Sequence, residues 1–184
     1  LGTAICIHPS GIFILSERML PPDLNFDSAK DGILILTYPD TKDIKQQKGG
    51  LAKVLKIDKN LGLVVVKVTD ENLTPVAFGD ETGLKKGSSL VAIGFDKSSP
   101  REGATLSAKT VALDAVLVDS IKKHTFRYDL NQKLPELMAG GGLFDEKGKL
   151  VGFLNGDRTE SSIREAIPVS HVKRIFDKPL MSFD

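Results

Sequence analysis

Leu1-Gly2-Thr3-Ala4-Ile5-Cys6-Ile7-His8-Pro9-Ser10-Gly11-Ile12-Phe13-Ile14-Leu15-Ser16 decides the fold class. Two apolar, β-branched runs, Ala4 to His8 and Ile12 to Ser16, flank Pro9-Ser10-Gly11. Proline presets φ and glycine admits a left-handed backbone, so the three residues suit a tight turn. The pattern is that of an antiparallel hairpin. It repeats outward along the chain. Ile33 to Tyr38 is closed by Pro39, and Leu51 to Asp58 and Leu63 to Val68 flank Lys59-Asn60-Leu61-Gly62. Further runs are Ser88 to Phe95, Thr105 to Leu113, Ala115 to Ile121, Thr125 to Leu130, Leu150 to Asn155 and Ser162 to Ile167. Short strands at this spacing predict an all-β barrel or sandwich. Only the end reads as helix, His171 to Phe176, with Ser170 as expected N-cap and Val172, Ile175 and Phe176 on one face.

The chain has 184 residues, enough for one domain or for two small barrels packed as one unit. A loop near 95–104, holding Pro100 and Gly103, predicts a division into halves at 1–97 and 98–184. Apolar residues make up 41% and charged residues 27%, an ordinary globular composition. The net charge of +1 gives no reason to expect nucleic acid as a partner. Lys42, Lys45, Lys48 and Lys53 form a basic stretch without interleaved aromatics, which reads as a solvated surface, and Lys122-Lys123-His124 reads as a charged strand end. No apolar run reaches the roughly 18–20 residues of a membrane span, and residues 1–7 lack the marks of a signal peptide.

Candidate chemistry outside a known pattern is sparse. The single Cys6 excludes an intramolecular disulfide. Cys6 and His8 share a face of one strand, and read best as a half-buried thiol beside a turn. His8, His124 and His171 have no partners at metal-motif spacing, so neither a metal nor another cofactor is expected. Gly140-Gly141-Gly142 is not followed by the Lys-Ser/Thr of a phosphate cradle and reads as a tight turn.

Five segments, in order and near-correct spacing, resemble the protease domain of the HtrA/Deg family of trypsin-like serine proteases. The opening hairpin resembles that family's small-residue strand leading to Leu-Thr-Asn-x-His. Leu63-Val64-Val65-Val66-Lys67-Val68 resembles the strand that follows its catalytic Asp. Phe78-Gly79-Asp80, Leu84, Gly87 and Val91-Ala92-Ile93-Gly94 resemble its central segment. Gly140-Gly141-Gly142-Leu143 with Gly148 and Leu150-Val151-Gly152 resembles the stretch carrying the catalytic Ser. Ala166-Ile167-Pro168-Val169 and the helix after it resemble its closing segment. The resemblance implies two packed six-stranded antiparallel β-barrels with a short C-terminal helix. The family's usual segment before the opening hairpin and its C-terminal PDZ domain are not seen in the sequence. The resemblance also implies an extracytoplasmic setting, and leaves the oligomeric state open.

Hydrolysis by such a scaffold needs a Ser, an imidazole that takes its proton, a carboxylate that orients the ring, and an oxyanion hole. Carried over by the resemblance, the general-base position holds Met19, the carboxylate position Gly62 and the nucleophile position Ala139. Residues 12 to 30 contain no histidine, so no shift of register restores one. Leu137 stands where the family keeps an oxyanion-hole Gly, Met138 replaces its Asn, and the loop before Ala139 is longer by about two residues counted from Asp129. An engineered Ser-to-Ala change would account for Ala139 alone. The expectation is a catalytically inactive homologue, a pseudoprotease, that binds protein or peptide. In the family, substrate adds as a strand beside the run that corresponds to Leu154-Asn155-Gly156. The alternatives are an active endopeptidase with displaced groups, or a purely structural domain of a larger protein.

Overall fold

The computed structural model describes residues 1–24, 32–37, 48–69, 73–97 and 103–177. Tyr38, Lys42, Lys45 and Pro100 lie outside the described residues. Strands β1 (Ala4–His8) and β2 (Ile12–Ser16) form the opening hairpin. β3 (Ile33–Thr37), β4 (Lys48–Asp58) and β5 (Leu63–Lys67) join them in a five-stranded antiparallel half-barrel of order β1-β2-β5-β4-β3.

The central strands β2 and β5 are buried on both faces, because each face meets its own core. Ile12, Ile14, Leu63 and Val65 pack against Leu150, Phe153 and the C-terminal helix. Phe13, Leu15, Val64 and Val66 fill the half-barrel with Ile33 and Ile35. A strand covered on both sides reads as a continuous apolar run, which is the look of Leu63-Val64-Val65-Val66.

The second unit is a closed six-stranded barrel of order β10-β11-β8-β7-β6-β9. Its strands are β6 (Ser89–Asp96), β7 (Thr105–Val118), β8 (Thr125–Pro135), β9 (Gly142–Phe144), β10 (Leu150–Asn155) and β11 (Ser162–Pro168). One barrel therefore closes with six strands, while the other shows five among the described residues. β6 pairs with β7 and β9, so it belongs to the closed barrel. A division at residue 97 would count it with the first half; the sheets part between Lys67 and Ser89.

Two expected strands, 105–113 and 115–121, are one. The ladder to β8 slips between Leu113 and Ala115, where a bulge sets Asp114 outward. β9 replaces what the sequence suggests is only a turn. The helix α1 runs Val169–Asp177, and Val169, Val172 and Ile175 face the core. Ser170 is thus inside its first turn and not the cap. Its amide donates to Glu81 Oε2 at 3.1 Å, so a carboxylate from elsewhere in the chain serves the exposed end of the helix.

Candidate functional site

The site lies where the two sheets meet, around the turn that leaves β2. The 3-10 turn Glu17–Met19 begins as soon as the strand ends. Met19, its last residue, packs against the barrel core that contains Met138 and Ala139. The Gly62 carbonyl accepts the Glu17 amide at 2.9 Å. A Cβ on Gly140 would come within 3.2 Å of the Ser16 amide nitrogen. Met19, Gly62 and the Ala139–Gly140 turn thus converge on residues 16–19.

None of the three can move a proton. A thioether is no base at neutral pH, glycine has no side chain, and the methyl of Ala139 is fully buried. The neighbouring backbone is also committed. A second 3-10 turn, Glu136–Met138, precedes Ala139, and the Ala139 amide donates to the Glu136 carbonyl at 2.9 Å. An oxyanion hole needs that amide free and aimed at solvent-side charge. The Leu137 carbonyl accepts from the Thr3 hydroxyl at 2.7 Å, and Thr3 Oγ1 itself accepts the Phe95 amide at 2.8 Å. The glycines that follow are held by close packing. A Cβ at Gly140, where φ is +88°, would overlap the Thr3 carbonyl oxygen, and one at Gly141 would overlap the Ile93 carbonyl oxygen.

An imidazole–hydroxyl pair does exist elsewhere. His8 Nδ1 lies 2.8 Å from Ser10 Oγ and also accepts the Ser10 amide at 3.2 Å. Both donors converge on one ring nitrogen within an exposed hairpin turn. That turn is the far end of β2, about 13–17 Å along the strand from Ser16. The contact shapes a turn and lies outside the site. Cys6 donates to the His8 carbonyl at 3.4 Å, and burial pushes its thiol pKa up, so the sulfur stays protonated and inert. His171 is buried, with Nε2 2.8 Å from the Thr125 carbonyl, and meets His124 edge-on. No cluster of three or more metal-ligating side chains occurs among the described residues. No helix among them is long and apolar enough to cross a membrane.

The expected peptide-binding run has a divided role. Leu154 is buried and both its backbone groups are used: its amide donates to the Gly141 carbonyl at 2.8 Å and its carbonyl accepts the Gly140 amide at 2.9 Å. The Asn155 side chain ties the two sheets. Its Oδ1 accepts the fully buried Ser16 hydroxyl at 2.7 Å, and its Nδ2 donates to the Leu61 carbonyl at 2.9 Å. The ladder to β11 ends at Asn155, so Gly156 is the first of the three outside it.

Two arginines complete the site, and one of them, Arg158, stands two residues after the expected peptide-binding run. Arg18 reaches from the first turn to the β10–β11 loop, where its Nη2 donates to the Glu160 carbonyl. Its side chain is 2% exposed, its Nε and Nη1 have no acceptor among the described residues, and the Glu136 carboxylate is 3.7 Å away. Arg158 reaches back, donating to the Leu20 carbonyl at 3.1 Å and the Glu17 carbonyl at 2.8 Å. Between them, Asp157 accepts from the Thr159 amide and hydroxyl, both at 2.8 Å. Those bonds, helped by the Arg18 charge, hold its carboxyl below the usual range. A lone arginine normally reads as a solvated surface residue; only its sequence neighbours, Met19 and Gly156, could have flagged either one.

The family model for the trypsin-like peptidase domain matches residues 2–153. The anti-sigma-I factor RsgI9 of Acetivibrio thermocellus is 26% identical over 149 residues, covering 80% of this chain and 19% of that protein. A protein named serine protease HtrA-like from Staphylococcus epidermidis is 26% identical over 152 residues, covering 76% and 25%. The chain thus spans a quarter or less of these curated relatives. Among solved structures, the HtrA-type protease AlgW with decapeptide superposes with a TM-score of 0.69 at 18% identity, covering 96% of this chain and 50% of that one. The serine endoprotease from Yersinia pestis gives 0.68 at 15%, covering 96% and 56%. At such identities the likeness to solved structures shows the fold, an HtrA-like double-barrel arrangement.

Proposed function

The chain belongs to the trypsin-like peptidase domain family, and from that premise we propose that it is a proteolytically inactive member that binds extended segments of other proteins. One observation carries the inactivity. The nucleophile position is a fully buried alanine whose amide is spent on the Glu136 carbonyl, beside Met19 and Gly62 in place of base and carboxylate. A single engineered change at Ala139 accounts for one of these features and leaves the others.

What persists supports binding. The Gly140–Gly142 turn and β10 remain built, and the ladder to β11 ends at Asn155, leaving Gly156 outside it. Peptides add to such sites as an extra strand. Solved relatives of this fold carry a decapeptide or a tripeptide. A second reading is a structural domain within a longer chain; it draws on a relative named for anti-sigma activity, of which the matching region is only 19%.

The test is direct. The native chain is incubated with casein and, separately, with a fluorophosphonate probe that labels activated serines. Neither cleavage nor labelling is expected, and Ala139→Ser stays silent too, because a hydroxyl without a base is a poor nucleophile. Casein turnover by the native sequence would overturn the inactive reading. Anisotropy of fluorescein-labelled casein then asks whether the domain binds an unfolded polypeptide at all, and a flat titration removes the binding reading.

A further inference from the structure

Arg18 and Arg158 make a reciprocal contact. Each starts on one of two facing loops and ends on the other's backbone: Arg18 on the Glu160 carbonyl, Arg158 on the carbonyls of Glu17 and Leu20. The loops belong to different sheets. One follows β2 and the other, which begins at Gly156, follows β10. A Cβ built on Gly156 would stand 2.9 Å from Arg18 Nη1, so the guanidinium fills the space over the one residue of the strand-addition run that lies outside the ladder.

From this we infer that the arginine pair is a clasp that holds the groove at Gly156 shut, and that a polypeptide enters only when the clasp opens. The inference rests on the binding reading above. Its physical basis is an unequal pair of costs. The Arg18 side chain is buried at 2% exposure with Nε and Nη1 unpaired among the described residues, an expensive way to hold a cation, and its Glu136 partner is 3.7 Å away and 52% exposed. Arg158 is held by two carbonyls at an exposed site among the described residues. The closed state is therefore fixed by few interactions, one of them strained by desolvation, and a competing backbone at Gly156 can displace it. Where the competent form is a minor population, apparent affinity falls by that fraction, and weakening the closed form restores it.

Arg158→Ala and Arg18→Met are compared with the native chain. Arg158→Ala removes exposed bonds only, so it tests the idea even where the loss of a buried cation disturbs folding. Amide hydrogen exchange is read at residues 17–20 and 156–160, and casein affinity by anisotropy. Faster exchange in both loops, unchanged exchange in β5 and β10, and an affinity raised about tenfold or more are expected. Unchanged exchange overturns the clasp. Faster exchange with measurable but unaltered affinity overturns its gating of the groove and leaves the binding reading standing. No binding by the native chain or either variant removes the groove as a polypeptide site, and the gate with it.

Discussion

Gly140 is the residue on which the geometry of the site is most exacting. Its φ of +88° lies in the left-handed region, and a methyl there would overlap the Thr3 carbonyl oxygen. Gly140→Ala is expected to cost about 3 kcal/mol or more, from backbone strain plus the displaced Thr3 segment. Gly148, at φ +70° with open space around its Cβ position, is the control, and Gly148→Ala should cost about 1 kcal/mol. Urea denaturation of both variants reads the difference; equal costs would mean that the close approach to Thr3 is unimportant. At this scale a motif's register singles out positions that lie together in space: Gly62 and the glycine after Ala139 both lie against residues 16–19, the stretch that holds Met19. The sequence was silent on the contacts of Arg18 and Arg158 and on the Ser16–Asn155 bond. Those pairings join residues some 140 apart, and no local spacing announces them.

Among the elements, the loop between β10 and β11 is shaped by Asp157. Its carboxylate accepts from the amide and hydroxyl of Thr159, and these bonds, with a minor contribution from Arg18, depress its pKa. A group whose folded pKa is lowered adds stability above its unfolded pKa, about 3.9, and that contribution is lost as pH falls through the lower folded value. The Thr159 amide resonance is therefore expected to titrate with a midpoint below that of an unperturbed aspartate, and Asp157→Asn should abolish the titration. A midpoint at or above the unperturbed value would deny the loop its Asx-type cap. The strands themselves were readable because their apolar runs are long and bounded by turn residues, as β1, β2 and β10 show. β9 was not, since three residues beginning with glycine carry no periodicity; its existence follows from the closure of the barrel around it. The bulge at Asp114 likewise split one strand in two when read from sequence alone.

Over the whole molecule, polar contacts from Thr3, Arg18, Arg158 and Asn155 span the two sheets, and Asn155 makes two of them through one side chain. Asn155→Ala strands the fully buried Ser16 hydroxyl without a partner and should cost about 1–3 kcal/mol. Adding Ser16→Ala removes the orphaned group, so the double variant should be less destabilised than the sum of the two single ones. Chemical denaturation of the four proteins checks this; strict additivity would show that the bond contributes nothing across the interface. The double-barrel class was legible because each half has its own apolar core. The boundary was not, because β6 resembles its sequence neighbours while its partners come later in the chain.

Thr3 has a consequence for how the chain is made. Its hydroxyl donates to the Leu137 carbonyl and its amide to the Ala139 carbonyl, so the start of β1 waits for some 134 further residues to be made before it is secured. At roughly 5–20 residues per second that wait is many seconds, during which a strongly apolar hairpin stands exposed to chaperones and to other nascent copies.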